Sequence, residues 1–335
     1  LAGDSEGGGD EAVSDWQNSI STVRILHGDC IARMADLPDA SVQTCVTSPP
    51  YFGLRDYGVD GQIGLEESPE QYVAKMVDVF REVWRVLRED GTLWLNLGDS
   101  YAATTRSSGA SLKSTLATKP TAAKTAAQRE RGSWRTGTGD AKPKDLLGIP
   151  WRVAFALQAD GWYLRQDIIW HKPNPMPESV RDRCTKAHEY LFLLAKSERY
   201  YFDAGAVKEK AVQGPHVRKR SSNFKGVGSL GEFGRHTSGG AEEIVCDGTR
   251  NRRSVWTITP KPYKGAHFAT FPPELVEPCI LAGSRPGDTV LDPFGGSGTT
   301  GMVANKHGRN AVLCELNASY IDLAKQRIEP EAIAA

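Results

Sequence analysis

The last third of the chain alternates between helix and strand patterns, and this alternation restricts the possible folds more than any other feature. Apolar spacing predicts helices at 273–282, 299–307 and 318–328, and strands at 289–291 and 311–315. A helix between two strands returns the chain to its starting edge, so the strands it joins run parallel. The pattern predicts an α/β fold with a mainly parallel sheet and helices on both faces.

The first part of the chain repeats this alternation with longer interruptions. Strands are expected at 23–29, 42–47, 92–97, 163–171 and 190–195. One helix is expected after Ser68 as N-cap, closed by Gly91, and another at 149–159. With the last third, these elements predict one large domain in two halves, 21–204 and 256–330.

Charge is segregated along the chain, although the formal net charge is zero. Residues 1–20 are acidic and Gly-rich, which predicts a disordered tail. Residues 102–144 carry nine Lys or Arg against two acids, in a composition that predicts a mobile insertion. Residues 205–255 carry ten against five and are rich in Gly and Ser. Two basic segments of this kind suit a phosphate-facing surface, or equally two solvated loops.

Several classes of protein are disfavoured. No apolar run is long enough to span a membrane, and the acidic N-terminus does not resemble a secretory signal. The six cysteines are scattered and never spaced C-x-x-C, which argues against a zinc site and a disulfide framework. We therefore expect no metal and a reducing, cytoplasmic setting.

A Gly-rich loop at 292–298 joins a predicted strand to a predicted helix. Its glycines let a ligand approach the backbone, and the helix N-terminus offers N–H groups to an anionic group. Glu315 ends the next strand, where a carboxylate can accept hydrogen bonds from ribose hydroxyls. The loop is neither G-x-G-x-x-G nor a phosphate-binding loop with its Lys. This favours a nucleoside cofactor without phosphates, such as S-adenosyl-L-methionine (AdoMet).

A second loop, Ser48-Pro49-Pro50-Tyr51, follows the strand at 42–47 directly. Two consecutive prolines do not fit inside a helix or a central strand, so the segment is a loop at a strand end. The Ser48 hydroxyl and the Pro49 carbonyl can accept hydrogen bonds from the amino group of a base. Tyr51 offers a face on which a base rotated out of the duplex can stack. The alternative is a rigid proline turn with a packed tyrosine.

Taken together, the two loops resemble those of the DNA amino-methyltransferases. The order, catalytic loop first and cofactor loop last, is similar to that of the circularly permuted beta class. Other matching pieces are Gly28-Asp29, 170–175 (Trp-His-Lys-Pro-Asn-Pro) and 266–272 (Ala-His-Phe-Ala-Thr-Phe-Pro). The similarity covers about residues 23–328 apart from the basic segments. It implies the AdoMet-dependent methyltransferase fold, which is Rossmann-like, with a small target-recognition region.

The resemblance assigns roles to individual residues. The catalytic residues would be Ser48, Pro49, Pro50 and Tyr51. The AdoMet site would comprise Asp29 near the adenine, Asp292 near the methionine moiety, Glu315 on the ribose, and Phe294, Gly296, Gly298 and Thr299 along the pocket. Residues 205–255 would recognise double-stranded DNA, with Arg218, Lys219, Arg220, Arg250, Arg252 and Arg253 as candidate contacts.

The resemblance also bears on the target base. Serine at position 48 and the Phe-Ala-Thr-Phe-Pro run at 268–272 resemble the cytosine-N4 enzymes, whereas adenine-N6 enzymes more often carry Asp or Asn at that position. We therefore expect methyl transfer from AdoMet to cytosine N4 of a flipped-out base by direct in-line displacement. The alternatives are adenine N6, an RNA or protein substrate, and a non-catalytic module that binds DNA and AdoMet.

Further expectations concern partners and three conspicuous side chains. A second copy of the chain and a cognate restriction endonuclease are candidate partners, in a prokaryotic or phage setting. His171 and His267 are interpreted as packed or orienting residues, because the proton released on transfer can leave to water. Cys279 lies in an apolar helix pattern and is interpreted as a core residue, not as a nucleophile.

Overall fold

A computed structural model describes residues 13–17, 21–102, 141–219, 243–260 and 271–333. The strands are β1 (Val13–Gln17), β2 (Thr22–His27), β3 (Val42–Thr47), β4 (Leu87–Leu97), β5 (Tyr163–His171), β6 (His188–Ala195), β7 (Glu209–Lys210), β8 (His216–Lys219), β9 (Glu243–Cys246), β10 (Thr249–Arg250), β11 (Val255–Thr257), β12 (Thr289–Asp292) and β13 (Asn310–Glu315). The helices are α1 (Cys30–Ala35), α2 (Pro69–Val86), α3 (Ile149–Ala159), α4 (Pro273–Gly283), α5 (Thr299–Lys306) and α6 (Ala318–Ile333).

Nine strands form one sheet in the order β1-β2-β13-β12-β3-β4-β6-β5-β11. Only β1 and β6 run against the others, because their pairs with β2, β4 and β5 are antiparallel. All the remaining pairs are parallel, which confirms the predicted mainly parallel sheet. The carboxyl ends of β2, β13, β12, β3 and β4 therefore lie side by side along one edge, where ligands of such sheets bind.

Helices cover both faces of the sheet, as the alternation predicts. Along β4, Leu93, Leu95 and Leu97 join the apolar cluster that contains the buried residues of α1, α2 and α3. Trp94 points the other way, since its Nε1 lies 3.0 Å from the place of a Cβ on Gly283 of α4. Successive strand residues face opposite sides of a sheet, so a strand buried on both sides reads as one continuous apolar run.

The junction between α2 and β4 differs from the prediction. The helix ends at Val86 and β4 begins at Leu87, so Gly91 does not close the helix but lies inside the strand. The pairing with β3 shifts between Val42 and Thr44, which leaves the stretch before Thr92 as a bulge. An apolar residue such as Leu87 is compatible with both helix and strand spacing, so its place in β4 depends on the pairing of that strand with β3.

The structure adds ordered contacts at the ends of two segments that were predicted to be disordered or mobile. Val13–Gln17 pairs with β2, so the prediction of disorder over all of residues 1–20 is wrong for this strand. The predicted insertion 102–144 lies mostly outside the described residues, but both its ends are described. They are held together, since the Ala102 N–H donates to the Asp145 carbonyl at 2.8 Å and the Lys144 N–H to the Ala102 carbonyl at 3.1 Å.

Residues Ala204–Arg253 form a second compact unit. Its described parts contain two small antiparallel pairs, β8 with β9 and β7 with β10. The unit corresponds closely to the predicted segment 205–255, except that Val255 already belongs to β11 of the main sheet. Within the described ranges, no helix has the length and apolar character needed to cross a membrane.

Candidate active site

The Gly-rich loop and the Ser-Pro-Pro-Tyr loop meet at the carboxyl edge of the sheet, as their positions after strands predict. β12 and β3 are neighbours, and the Thr47 hydroxyl at the end of β3 donates to Asp292 Oδ1 at 2.6 Å. The Ser-Pro-Pro-Tyr loop is also bonded to α2, because the Tyr72 hydroxyl donates to the Pro50 carbonyl at 2.9 Å. Both loops therefore start from fixed points in the protein core.

Asp292 is fully buried beneath the Gly-rich loop. Its carboxylate accepts hydrogen bonds from the hydroxyls of Thr47 (2.6 Å) and Thr300 (2.7 Å) and from the Phe294 N–H (3.0 Å). Burial nevertheless raises the pKa of Asp292 to about 6. Asp292 does not border the cleft described below. It links the two loops from underneath, and its place beside the methionine moiety stays a prediction.

Glu315 stands at the end of β13, facing the Gly-rich loop. Its two carboxylate oxygens each accept a backbone N–H at 2.7 Å, one from Gly296 and one from Asn317. Burial raises the pKa of Glu315, although these hydrogen bonds act in the opposite direction. Each oxygen keeps a further lone pair, so the carboxylate can accept two more hydrogen bonds from a ligand.

One cleft runs along this edge and contains about 1070 Å³ of empty space, its open mouth included. The lining residues that belong to the two loops or adjoin the ends of β2 and β13 are Gly28, Asp29, Cys30, Ser48, Pro50, Pro293, Phe294, Gly295, Gly296, Ser297, Thr299, Cys314, Glu315, Leu316 and Asn317. The others are Tyr57, Val59, Gly61, Gln62, Ile63, Phe271 and Tyr320. No described Lys or Arg lines the cleft, whereas two acids and several aromatic rings do. These residues fit a positively charged nucleoside without phosphates.

The remaining predicted cofactor residues occupy different positions. Asp29 is exposed at the cleft and caps α1, where it accepts the Ala32 N–H at 3.0 Å. Phe294, Gly296 and Thr299 line the cleft. Gly298 does not line it: it caps α5 with a positive φ of 77°, and a Cβ there would lie 2.8 Å from the Cβ of Ala324. Its glycine is explained by packing against α6 and by its backbone conformation.

Ser48 borders the cleft, and its hydroxyl donates to Asn96 Oδ1 at 3.2 Å. Asn96 is buried at the end of β4, and its Nδ2 donates to the Tyr190 carbonyl at 3.0 Å. That bond fixes the amide with its oxygen toward Ser48. Because the Ser48 hydroxyl donates its proton to Asn96, the lone pairs of Ser48 Oγ remain available to accept a hydrogen bond from a substrate.

Tyr51 is half-buried, with its ring packed closely against Gly98. A Cβ on Gly98 would lie 2.4 Å from Tyr51 Cε2, so only glycine fits there. The Tyr51 hydroxyl reaches Glu189 Oε2 at 2.7 Å and Asn96 Oδ1 at 3.0 Å. Burial raises the pKa of Tyr51 well above its ordinary value, and the nearby Glu189 carboxylate raises it further. The phenol is therefore protonated and acts as a donor.

The predicted DNA contacts lie in the second compact unit or outside the described residues. Arg250 and Arg253 both donate to Glu209 Oε1, at 2.8 and 2.7 Å, so each has an intramolecular partner. The Arg253 side chain is 67% exposed and keeps most of its guanidinium in solvent. Arg218, Lys219 and Arg252 fall on or beside β8 and β10, and Arg220 lies outside the described residues.

Sequence reasoning missed the residues that surround Tyr51. Asn96 and Glu189 were not singled out, and Lys172 was noted only within the 170–175 motif. A polar residue inside the apolar run of β4 and an acid at the start of the apolar β6 were the available signals. His171 makes a 3.1 Å contact from Nδ1 to Thr257 Oγ1, which suits the predicted packing role. Cys279 is buried, as predicted.

Together these features define a class of protein. A mainly parallel sheet carries a Gly-rich loop and an acidic residue at neighbouring strand ends, around a cleft without basic residues in its described lining. This is the fold and cofactor site of an AdoMet-dependent methyltransferase. In such enzymes AdoMet supplies a methyl group on a positively charged sulfur.

Comparison with known proteins gives the family: residues 42–326 match the model of the DNA methylase family that covers the N6 and N4 enzymes, and the chain belongs to it. It is 48% identical to the type II methyltransferase M.Cfr9I of Citrobacter freundii, over 93% of this chain and 89% of that protein. It is 45% identical to the type II methyltransferase M.SmaI of Serratia marcescens, over 95% of each. The chain is a DNA amino-methyltransferase, with DNA as its substrate.

Solved structures agree with the fold. The PvuII DNA methyltransferase, described as cytosine-N4-specific, superimposes with a TM-score of 0.59 and 17% identity, covering 95% of this chain and 92% of that one. A DNA modification methylase of Thermus thermophilus (TTHA0409), in complex with S-adenosyl-L-methionine, gives a TM-score of 0.53 and 24% identity, covering 92% and 95%. At these identities the likeness establishes the fold alone.

Proposed function

We propose that this chain methylates the N4 amino group of cytosine in DNA, on a base rotated out of the duplex into the Ser-Pro-Pro-Tyr pocket. The observation that carries the proposal is the hydrogen bond from Ser48 to Asn96 beside the cofactor cleft. It leaves the serine oxygen as an acceptor at the place where a base amino group must meet the methyl donor. Serine at this position, by resemblance to the cytosine-N4 enzymes, and the cytosine-N4-specific PvuII neighbour support the choice of base.

The chemical task of the pocket follows from the electronic structure of the base. The lone pair of an exocyclic amino nitrogen is delocalised into the ring, so the group is a poor nucleophile. Acceptors aimed at its two hydrogens return electron density to nitrogen and stabilise the positive charge that develops there. Ser48 Oγ would take one hydrogen. The Pro49 carbonyl would take the other, since no described residue donates to it whereas the Pro50 carbonyl is used by Tyr72.

The chain's own residues also hold the cofactor and the DNA in this proposal. Glu315 would bind the ribose hydroxyls, and Phe294 and Gly296 would line the path of the methionine moiety. Residues 205–255 would contact DNA through their excess of basic side chains. A homodimer, a cognate restriction endonuclease and a cytoplasmic setting remain predictions.

The test is the identity of the methylated nucleoside. The protein is incubated with AdoMet and double-stranded DNA, the DNA is digested, and the nucleosides are separated by mass spectrometry. The proposal predicts N4-methylcytosine; N6-methyladenine would move the assignment to the adenine enzymes, and an unmethylated product would refute both. Ser48→Ala should lower kcat by about 100-fold, the effect of removing one preorganised hydrogen-bonding group from an active site. Its AdoMet affinity should stay within about threefold of the unmutated protein, a change below 1 kcal/mol.

A further inference from the structure

Tyr51 has one hydroxyl proton and two acceptors within reach. Glu189 Oε2 is at 2.7 Å, and Asn96 Oδ1, which also accepts from the Ser48 hydroxyl, is at 3.0 Å. A hydroxyl donates one proton at a time. The charged and nearest acceptor takes it, because hydrogen bonds to a carboxylate are shorter and about twice as strong as neutral ones.

Glu189 is held in place for this role. Its other oxygen, Oε1, accepts from the Lys172 ammonium, and Lys172 in turn lies over the Trp170 ring at 4.2 Å. The Glu189 and Lys172 side chains are only 17% and 19% exposed, so the pair is shielded from solvent. Both stand at strand ends on the cofactor edge of the sheet, Lys172 just after β5 and Glu189 near the start of β6.

We infer that Glu189, anchored by Lys172, is a positioning residue that captures the Tyr51 hydroxyl proton and so keeps Ser48 Oγ free to accept a hydrogen bond from the substrate amino group. Glu189 acts through Tyr51 and needs no contact with the base or with the cofactor. The inference rests on the proposed role of Ser48 as acceptor. It adds that the direction in which the Tyr51 hydroxyl donates must be controlled.

Removal of Glu189 therefore redirects the phenol proton. In Glu189→Ala the Tyr51 hydroxyl turns to Asn96 Oδ1, where it competes with the Ser48 hydroxyl. A Ser48 hydroxyl displaced from Asn96 no longer presents its lone pairs to the substrate amino group. A phenylalanine at position 51 has no such proton, while its ring keeps the packing against Gly98. The two substitutions should consequently compensate for each other, which a general loss of structure would not produce.

The test is a double-mutant cycle on the full-length protein. Initial rates of DNA methylation give kcat and KM, and calorimetric titration gives the AdoMet affinity. We expect Glu189→Ala to lower kcat by at least about tenfold, less than the loss on removing a preorganised group outright, and the kcat of Tyr51→Phe is the reference for the double variant. The double variant should return to within about threefold of Tyr51→Phe. AdoMet affinity and the KM for DNA should change by less than about threefold throughout.

Glu82→Ala serves as the matched control, since Glu82 is a half-buried carboxylate paired with Arg85 at 3.0 Å on α2. It should keep the unmutated kcat. The inference is overturned if Glu189→Ala slows the Tyr51→Phe protein by the same factor as it slows the unmutated protein. Failure of the proposed function is distinct, because the unmutated enzyme would then form no N4-methylcytosine.

Discussion

Asp292 offers a quantitative test of how the two loops are joined. Burial raises its pKa from the ordinary 3.8 to about 6, so the folded protein binds this proton more tightly than the unfolded chain does. Stability from this group is therefore present at low pH and is lost as the pH rises through about 6. The full penalty at high pH is about 3 kcal/mol, the free energy that corresponds to a pKa of about 6 in place of 3.8.

Asp292→Asn removes the titration while keeping the shape. The amide oxygen can accept the Thr47 hydroxyl and the Phe294 N–H, and the amide nitrogen can donate to Thr300 Oγ1. The Thr300 hydroxyl then has the Val46 carbonyl at 3.3 Å as its acceptor. The three donors that now point at Asp292 all keep partners, and only the second amide hydrogen of the asparagine lacks a described acceptor, so Asp292→Asn should fold. Its stability relative to the unmutated protein should increase with pH.

Urea unfolding, followed by tryptophan fluorescence at pH 5 and pH 7.5 without AdoMet, measures this change. About half of the 3 kcal/mol has developed by pH 5, so the advantage of Asp292→Asn should grow by about 1 kcal/mol between the two pH values. With about 2.1 cal/mol/K of unfolding entropy per residue over 335 residues, the corresponding gain in Tm is about 1–2 °C.

Asp292→Ala is the matched comparison. It removes the same titration, so its pH-dependent change should equal that of Asp292→Asn. It also leaves the Thr47 hydroxyl and the Phe294 N–H without their acceptor, which should lower stability by about 1–3 kcal/mol for each group at both pH values. A stability difference between Asp292→Asn and the unmutated protein that is the same at pH 5 and pH 7.5 would refute the reasoning.

Two further substitutions probe the cofactor site and the catalytic loop separately. Glu315→Ala should weaken AdoMet binding by about 100-fold in calorimetric titration, the loss expected for two hydrogen bonds to a charged group; an affinity within threefold, as expected for the control Glu82→Ala, would contradict the ribose assignment. Gly98→Ala places a Cβ 2.4 Å from Tyr51 Cε2 and should lower kcat about 100-fold by displacing the ring, with AdoMet affinity unchanged. In the control Gly214→Ala the added Cβ meets open space, so stability should not change. An unchanged kcat for Gly98→Ala would show that the position of the Tyr51 ring is unimportant.

The parts of the fold that the sequence predicts are those set by local chemistry. Consecutive prolines at 49–50 and the glycines of 292–298 exclude regular structure, and each loop follows an apolar run that can only be a strand or a buried helix. The parallel sheet then brings the strand ends together without further information. The common cleft of the two loops was predictable for this reason, even though about 240 residues separate them.

The network around Tyr51 could not be predicted in the same way. The pairing of β4 with β6 sets Asn96 beside Leu191, and the pairing of β5 with β6 sets Trp170 beside Glu189. Both registers depend on long-range contacts that have no local signal. The burial of Asp292 beneath the Gly-rich loop could not be predicted for a related reason. Its sequence position gives the loop in which it lies, but not whether its side chain faces the cleft or the core.

The order of the two loops along the chain has little bearing on the geometry of the site. The Ser-Pro-Pro-Tyr loop follows β3 and the Gly-rich loop follows β12. These two strands are hydrogen-bonded neighbours, although β3 lies near the start of the chain and β12 near its end. A parallel sheet aligns its carboxyl ends whatever the order of connection, so a permuted chain can build the same edge. What must be retained is the contact between the loops, here the hydrogen bond from Thr47 to Asp292. Because that bond is buried and joins the residue before Ser48 to the start of the Gly-rich loop, one shared element of the core positions both loops, and in the proposed function it would position the methyl donor against the base.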